Sequence, residues 1–200
     1  MIRTETDARL VARARQGDVE AFNRLISRWE KRVYNYLLGL LRNREDSLDI
    51  CQETFLKAYR SLGTLEDAGK FPPWLFRIAR NQALSLLRGS FPDRAEPWTD
   101  QDPEDALANG GSSPSPLGLA GLTSGMELKL AVARALDALP PEQREAVVLK
   151  VYYGFRFDEI AAILACPVGT VKSRIYAALA RLKETLTAAP PARKLSEPQL

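Results

Sequence analysis

Two hundred residues, 46% of them hydrophobic and 26% charged, fit one ordinary domain or two small ones and exclude a globally disordered chain. The chain has no His and only two distant Cys, Cys51 and Cys166, which removes the commonest general base and the ligand spacing of a zinc site; no metal and no cofactor is expected, and both thiols read as reduced core groups. The net charge of +3 is unevenly spread: residues 1–90 carry 16 Lys/Arg against 11 Asp/Glu, residues 91–125 carry 1 against 6, and residues 126–200 carry 11 against 8, so two mildly basic blocks that suit a polyanion flank an acidic middle.

The N-terminus, MIRTETDARL, is charged from its start and lacks the apolar stretch of a secretory signal. The longest apolar runs, such as Leu37 to Leu41, are too short to span a bilayer, so a cytoplasmic protein without direct membrane insertion is expected. A short helix is predicted from Asp7 to Arg15. After Gly17, Asp18 can cap a long helix whose apolar residues Phe22, Leu25, Ile26, Trp29, Val33, Tyr36, Leu37 and Leu40 recur at helical spacing. A second long helix is predicted from about Asp46, burying Leu48, Cys51, Phe55, Tyr59 and Leu62. A third starts at Pro72-Pro73, where proline is tolerated because first-turn N–H groups have no intrahelical partner, and runs from Trp74 to about Arg88.

From Gly89 to Gly125 the periodicity stops. This stretch is rich in Pro, Gly, Ser and Asp and cannot bury enough apolar surface to offset its ordering entropy. It reads as a flexible linker, with Leu117 to Leu122 as its one short apolar segment. Helices resume over Met126 to Ala138, from Pro140-Pro141 to about Tyr153, over Asp158 to Ala165 and from Val168 to Leu186; a polar, Pro-containing tail follows. No strand pattern and no internal repeat is found. The expected fold is all-α: two small helical domains joined by a flexible linker, with an N-terminal domain over 1–89, the acidic linker over 90–125, a C-terminal domain over 126–187 and a disordered tail over 188–200.

The segment FDEIAAILACPVGTVKSRIYAALARLKETL has the layout of a helix-turn-helix, with a short helix, the turn Cys166-Pro167-Val168-Gly169 and a longer second helix. Val171, Ile175, Ala178, Leu179 and Leu182 fall on its packing face, and Lys172, Ser173, Tyr176, Ala177 and Ala180 point outward. In such a motif the N-terminal half of the second helix enters the major groove, where Lys172 and Arg174 reach phosphates or guanine edges and Thr170 and Ser173 hydrogen-bond to bases or phosphates. The same pattern also fits a plain two-helix hairpin with a solvated charged face.

Two surfaces stand out in the N-terminal block. Asp49, Gln52, Glu53 and Arg60 share one face of their helix, and the like-charged Asp49/Glu53 pair at i,i+4 is mildly unfavourable unless a basic partner meets it. In KFPPWLFRIARNQALSLLR, Arg77, Asn81, Ser85 and Arg88 form a polar stripe, and Phe71, Trp74 and Phe76 cluster beside Lys70 and Arg77. Aromatic rings interleaved with cations suit single-stranded DNA; the same rings also suit a core.

Taken together and in this order, the segments resemble extracytoplasmic-function sigma factors, of the RNA polymerase sigma family. DSLDICQETFLKAYRSL resembles the polymerase-binding stretch, with Asp49, Gln52, Glu53 and Phe55 at the matching places. FPPWLFRIARNQALSLLR resembles the promoter-melting and minus-ten stretch. LDALPPEQREAVVLKVYYGFRFDEIAAILACPVGTVKSRIYAALARL resembles the minus-thirty-five domain. The resemblance implies a DNA-binding transcription initiation factor, not an enzyme, with core RNA polymerase, promoter DNA and an anti-sigma factor as partners and no small-molecule substrate. It implies minus-ten contacts through Lys70, Phe71, Trp74, Arg77, Arg80, Asn81, Ser85 and Arg88, with the loop from Leu62 to Lys70 close to an extruded base, and minus-thirty-five contacts through Thr170, Lys172, Ser173, Arg174 and Tyr176. The acidity of Asp93, Glu96, Asp100, Asp102, Glu104 and Asp105 suits a linker path that RNA later occupies. This chain departs from the pattern at Ala177, Ala178 and Ala180, where Arg or His is frequent, at Ser85, where Asp is common, and in the length of its linker. A free-standing helix-turn-helix regulator explains the C-terminal block but leaves the Asp49/Gln52/Glu53 face without a role. An enzyme finds no glycine-rich phosphate loop and no nucleophile–base pair.

Overall fold

The structure, a computed structural model, describes residues 5–90 and 126–188. The expected linker and tail, with their acidic residues and the Leu117 to Leu122 segment, lie outside them. Among the described residues every regular element is helical. Contacts divide them into two units, 5–90 with 158–166, and 126–157 with 167–188.

The first unit is built by its caps. Helix α1, Asp7–Arg15, starts at Thr6 and stops before Gly17, whose φ of +90° suits glycine. Helix α2, Val19–Leu41, starts at Asp18, whose carboxylate accepts from the Ala21 N–H at 3.0 Å. Arg42 ends it in the left-handed region, and Asn43 at once caps α3, Arg44–Ser61, by accepting from the Glu45 N–H at 2.9 Å. Two 3-10 turns, Leu62–Thr64 and Ala68–Lys70, lead into α4, Phe71–Ser90. Ion pairs fasten α1 to the start of α2: Arg13 bridges Glu5 and Asp18, and Asp7 takes both Arg28 and the Trp29 indole N–H. The backbone N–H of Ala21, then Arg13, hold the Asp18 carboxyl below its usual range.

Leu25, Val33 and Leu37 of α2 and Phe71, Leu75, Phe76 and Ala79 of α4 are fully buried. Phe76 is the hub, with its ring 5.0 Å from Tyr36 and edge-on to Trp29 at 6.3 Å. Such pairs add about 0.5–1.5 kcal/mol beyond the burial itself. Helix α3 departs from expectation. Leu48 and Tyr59 are exposed, and Ser47 and Thr54 take the core face instead. Both hydroxyls can sit there because each donates to the carbonyl four residues back, Asn43 and Ile50 respectively. Helix α7, Phe157–Leu164, buries Ile160, Ile163 and Leu164; its residues from Asp158 onward group by contact with this unit.

The second unit comprises α5, Met126–Asp137, α6, Pro141–Val151, and α8, Val168–Ala188. Leu139, Val147 and Ala178 form a core cluster that Leu136 and Leu182 border. Arg144 of α6 closes the end of α5 by donating to the carbonyls of Leu136, Asp137 and Leu139 at 2.9, 2.8 and 3.2 Å. Gly154, at φ +75°, ends the α6 region as its sequence position suggests.

Candidate functional site

The residues singled out by the sequence fall on three surfaces. On α3, Asp49, Gln52 and Glu53 are all exposed, as their spacing implies. Phe55 is not among them: it lies in the core, because the α3 core register runs through Cys51, Thr54, Phe55 and Ala58. The structure adds two residues that an inward assignment of apolar positions missed. Leu48 and Leu56, 52% and 56% exposed, stand at i and i+8 around Gln52, so the face is acidic and apolar at once. Glu53 also accepts from the Gln82 amide of α4 at 3.3 Å, which ties this face to the next.

On α4, Arg77, Asn81, Ser85 and Arg88 are exposed in one stripe and Arg80 is half-buried. Phe71 and Trp74, expected to stack on bases, are core side chains instead, with their rings 6.0 Å apart. The aromatic–cation alternation comes from the helix itself: its buried positions are apolar, and Arg77 between them points out. Lys70 is exposed at the end of the second 3-10 turn. Within that loop the Asp67 carboxylate accepts from the Gly69 N–H at 2.8 Å, and the Lys70 N–H donates to the Asp67 carbonyl at 2.9 Å.

At the C-terminal motif, Ala165 takes φ +54° after α7, the Cys166 N–H donates to the Ala161 carbonyl at 3.2 Å, and the Val171 N–H donates to the Pro167 carbonyl at 3.1 Å as α8 begins. Val171, Ile175 and Ala178 are buried. Lys172, Ser173 and Tyr176 are exposed, Tyr176 at 63%, while Thr170 and Arg174 are half-buried. Ser173 donates its hydroxyl to the Thr170 carbonyl at 2.9 Å, which leaves its oxygen free to accept. Leu179, assigned inward from its spacing, is exposed, and Ala178 is fully buried, so an Arg or His there would not reach solvent without repacking.

Sequence reasoning missed Lys150 and Phe157. The Phe157 ring holds two cations, the Lys150 ammonium at 4.7 Å and the Lys172 ammonium at 5.7 Å, and Lys150 also donates to the Phe155 carbonyl at 3.2 Å. These residues are brought together by the turn after α6, which spacing does not encode. Of the thiols, Cys51 is inert: burial first, and the Glu30 charge second, push it up to about 11. Among the described residues no group of three or more His, Cys, Asp or Glu could hold a metal, and no single helix is long and apolar enough to cross a membrane.

Two family patterns match, Sigma-70 region 2 over residues 25–90 and Sigma-70 region 4 over residues 129–182. The chain is 38% identical over 175 residues to the ECF RNA polymerase sigma-E factor of Salmonella typhi, covering 86% of this chain and 90% of that one. It is 32% identical over 195 residues to the RNA polymerase sigma-H factor of Pseudomonas aeruginosa, covering 93% and 96%. Among solved structures, it resembles CnrH in complex with the cytosolic domain of CnrY, with a TM-score of 0.63 and 27% identity over 92% of this chain and 99% of that one. It also resembles the sigma factor RpoE bound to the anti-sigma factor NepR from Bartonella quintana, with a TM-score of 0.61 and 27% identity over 84% and 97%.

Proposed function

The chain belongs to the extracytoplasmic-function sigma factors of the RNA polymerase sigma family, and on that premise we propose how its surfaces share the work of promoter-directed initiation. The α3 face of Asp49, Gln52, Glu53, Leu48 and Leu56 binds core RNA polymerase. The α4 stripe of Arg77, Asn81, Ser85 and Arg88, with Arg80 and Lys70, holds the minus-ten strand as it separates. Phe71 and Trp74 give that stripe its rigid backing and are not stacking platforms. Thr170, Lys172, Ser173, Arg174 and Tyr176 of α8 meet the minus-thirty-five duplex. Residues 1–89 and 126–187 act as the two promoter-reading domains, with 90–125 as the connection between them. The chain works in the cytoplasm by binding rather than catalysis, needs no cofactor, and is held inactive by an anti-sigma factor, as the partner of the similar Bartonella protein suggests.

The observation that carries this reading is the exposed acidic and apolar face on α3. A helix-turn-helix regulator that acts without polymerase has no use for it, whereas a polymerase subunit must present such a face beside its DNA-reading helix. The test is transcription from fragmented genomic DNA by core polymerase with and without the chain. New start sites appear only with the chain present. Lys172→Ala weakens all of them, since each lost phosphate contact removes about one unit of salt slope. Core polymerase that gains no start sites from the folded chain overturns the reading.

A further inference from the structure

The loop from Leu62 to Lys70 joins the polymerase-binding helix to the minus-ten helix, and most of its side chains are exposed. Its local ties are short-range: the Thr64 hydroxyl donates to the Ser61 carbonyl at 2.8 Å, the Leu65 N–H donates to the Leu62 carbonyl at 3.3 Å, and Asp67 organises the second turn. A loop held only by its own hydrogen bonds would open on the fast local scale of frayed segments. Helix α1 prevents this. It packs on both 3-10 turns; Leu10 and Val11 of α1 are fully buried, and Leu62 and Leu65 are the buried anchors of the loop. From the end of α1, the Arg15 guanidinium Nε donates to the Leu62 carbonyl at 3.2 Å, a tie that spans 47 residues of chain. A charged donor on a loop carbonyl is worth more than a neutral one and fixes the direction of that peptide group. Helix α1 is also fastened to α2 and its cap by the Arg28–Asp7 and Arg13–Asp18 ion pairs, so it ties the loop to the helical core.

We infer that Arg15 is a positioning residue for base selection: through Leu62 it sets how the loop presents itself to an unstacked minus-ten base, and α1 is thereby part of the specificity apparatus. This rests on the loop's proposed place beside the melted strand. A base held out of the stack is selected by pocket contacts that must offset a few kcal/mol of lost stacking, so a small shift of the pocket wall changes which base is preferred.

The test uses holoenzyme assembled from the full chain and core polymerase. A duplex is first recovered by the wild-type holoenzyme from a random-sequence library, then remade with each of the four bases at every melted position. Arg15→Ala is expected to flatten the base preference at one position by about fivefold, the worth of one positioned hydrogen bond. Co-elution with core polymerase stays intact, and Arg15→Lys, which keeps a cationic donor, recovers part of the preference. Arg13→Ala removes the Glu5 and Asp18 pairs but leaves Asp7 holding α1 to Arg28 and Trp29, so it lowers the melting temperature but keeps the preference. An Arg15→Ala profile that matches the wild type, while Lys70→Ala on the loop itself alters it, overturns the inference and leaves the minus-ten reading standing. A profile that neither variant changes overturns both. Equal flattening by Arg13→Ala and Arg15→Ala reduces Arg15 to a stability contact and overturns the inference as well.

Discussion

Helices α4 and α8 both present a basic, outward-facing stripe, yet they are held in opposite ways. Helix α4 is sunk into its unit: Phe71, Leu75, Phe76, Ala79 and Ala83 are fully buried, and its cations emerge from a wide apolar base. Helix α8 stands on a narrow one, with Val171, Ile175 and Ala178 buried and Tyr176 and Leu179 bare. An aromatic ring in a basic helix therefore has two meanings, and the register decides which applies. In α4 the rings are buried: Phe76 packs against Trp29 and Tyr36 of α2, and Phe71 against Trp74. In α8 the exposed ring of Tyr176 is off the packing face and open to a partner. A stripe that must hold separated strands gains from a rigid backing, whereas a helix that enters a groove must keep most of its girth free.

The largest effect expected from this contrast is at Phe76. Phe76→Ala removes the ring between Trp29 and Tyr36 and should cost about 3–5 kcal/mol in chemical denaturation, while Tyr176→Ala should stay within about 0.5 kcal/mol and weaken duplex binding instead. Equal destabilisation by the two changes would break the comparison. A smaller effect is expected at the turn before α8. Ala165 occupies the left-handed region at φ +54°, where a Cβ is strained, so Ala165→Gly should raise stability by about 1 kcal/mol in thermal unfolding. No gain there would mean that the turn relaxes at no cost. The smallest concerns the thiols. Cys51 is buried and Cys166 only half-buried, so a maleimide at neutral pH should label Cys166 well before Cys51. The folded chain keeps the Cys51 proton up to about 11, whereas the unfolded thiol loses it near 9.0, so the unfolded state binds fewer protons in that window. Stability should therefore fall as pH rises from about 9 to about 11, and Cys51→Ala should remove that part of the slope in denaturation curves taken across the window.

Much of this was legible in the sequence, and the exceptions have physical causes. Gly17, Asp18 and Pro141 mark their helix boundaries because cap chemistry is local. Asn43 caps α3, which therefore starts two residues before the expected Asp46. The inward assignment of Leu48 and Tyr59 failed because it treated Ser47 and Thr54 as surface residues, although a hydroxyl bonded to its own helix can occupy a core position. The α4 stripe was found correctly because polar residues at i, i+4, i+8 and i+11 have only one face to share. Phe71 and Trp74 are buried, and their chemistry suits stacking and packing equally until that burial is seen. The Lys150–Phe157–Lys172 group and the Arg15 tie to Leu62 depend on chain segments brought together by folding, and no spacing rule reaches them.

Polymerase binding is assigned to the α3 face. Gel filtration of the full chain with purified core RNA polymerase tests it most directly, beside an Asp49→Lys/Glu53→Lys variant shown by circular dichroism to be folded. The wild type should co-elute with core polymerase and the variant should not, because the surface that carries the binding is acidic. A folded wild type that elutes apart from core polymerase, or a variant that still co-elutes, would contradict the assignment of that face.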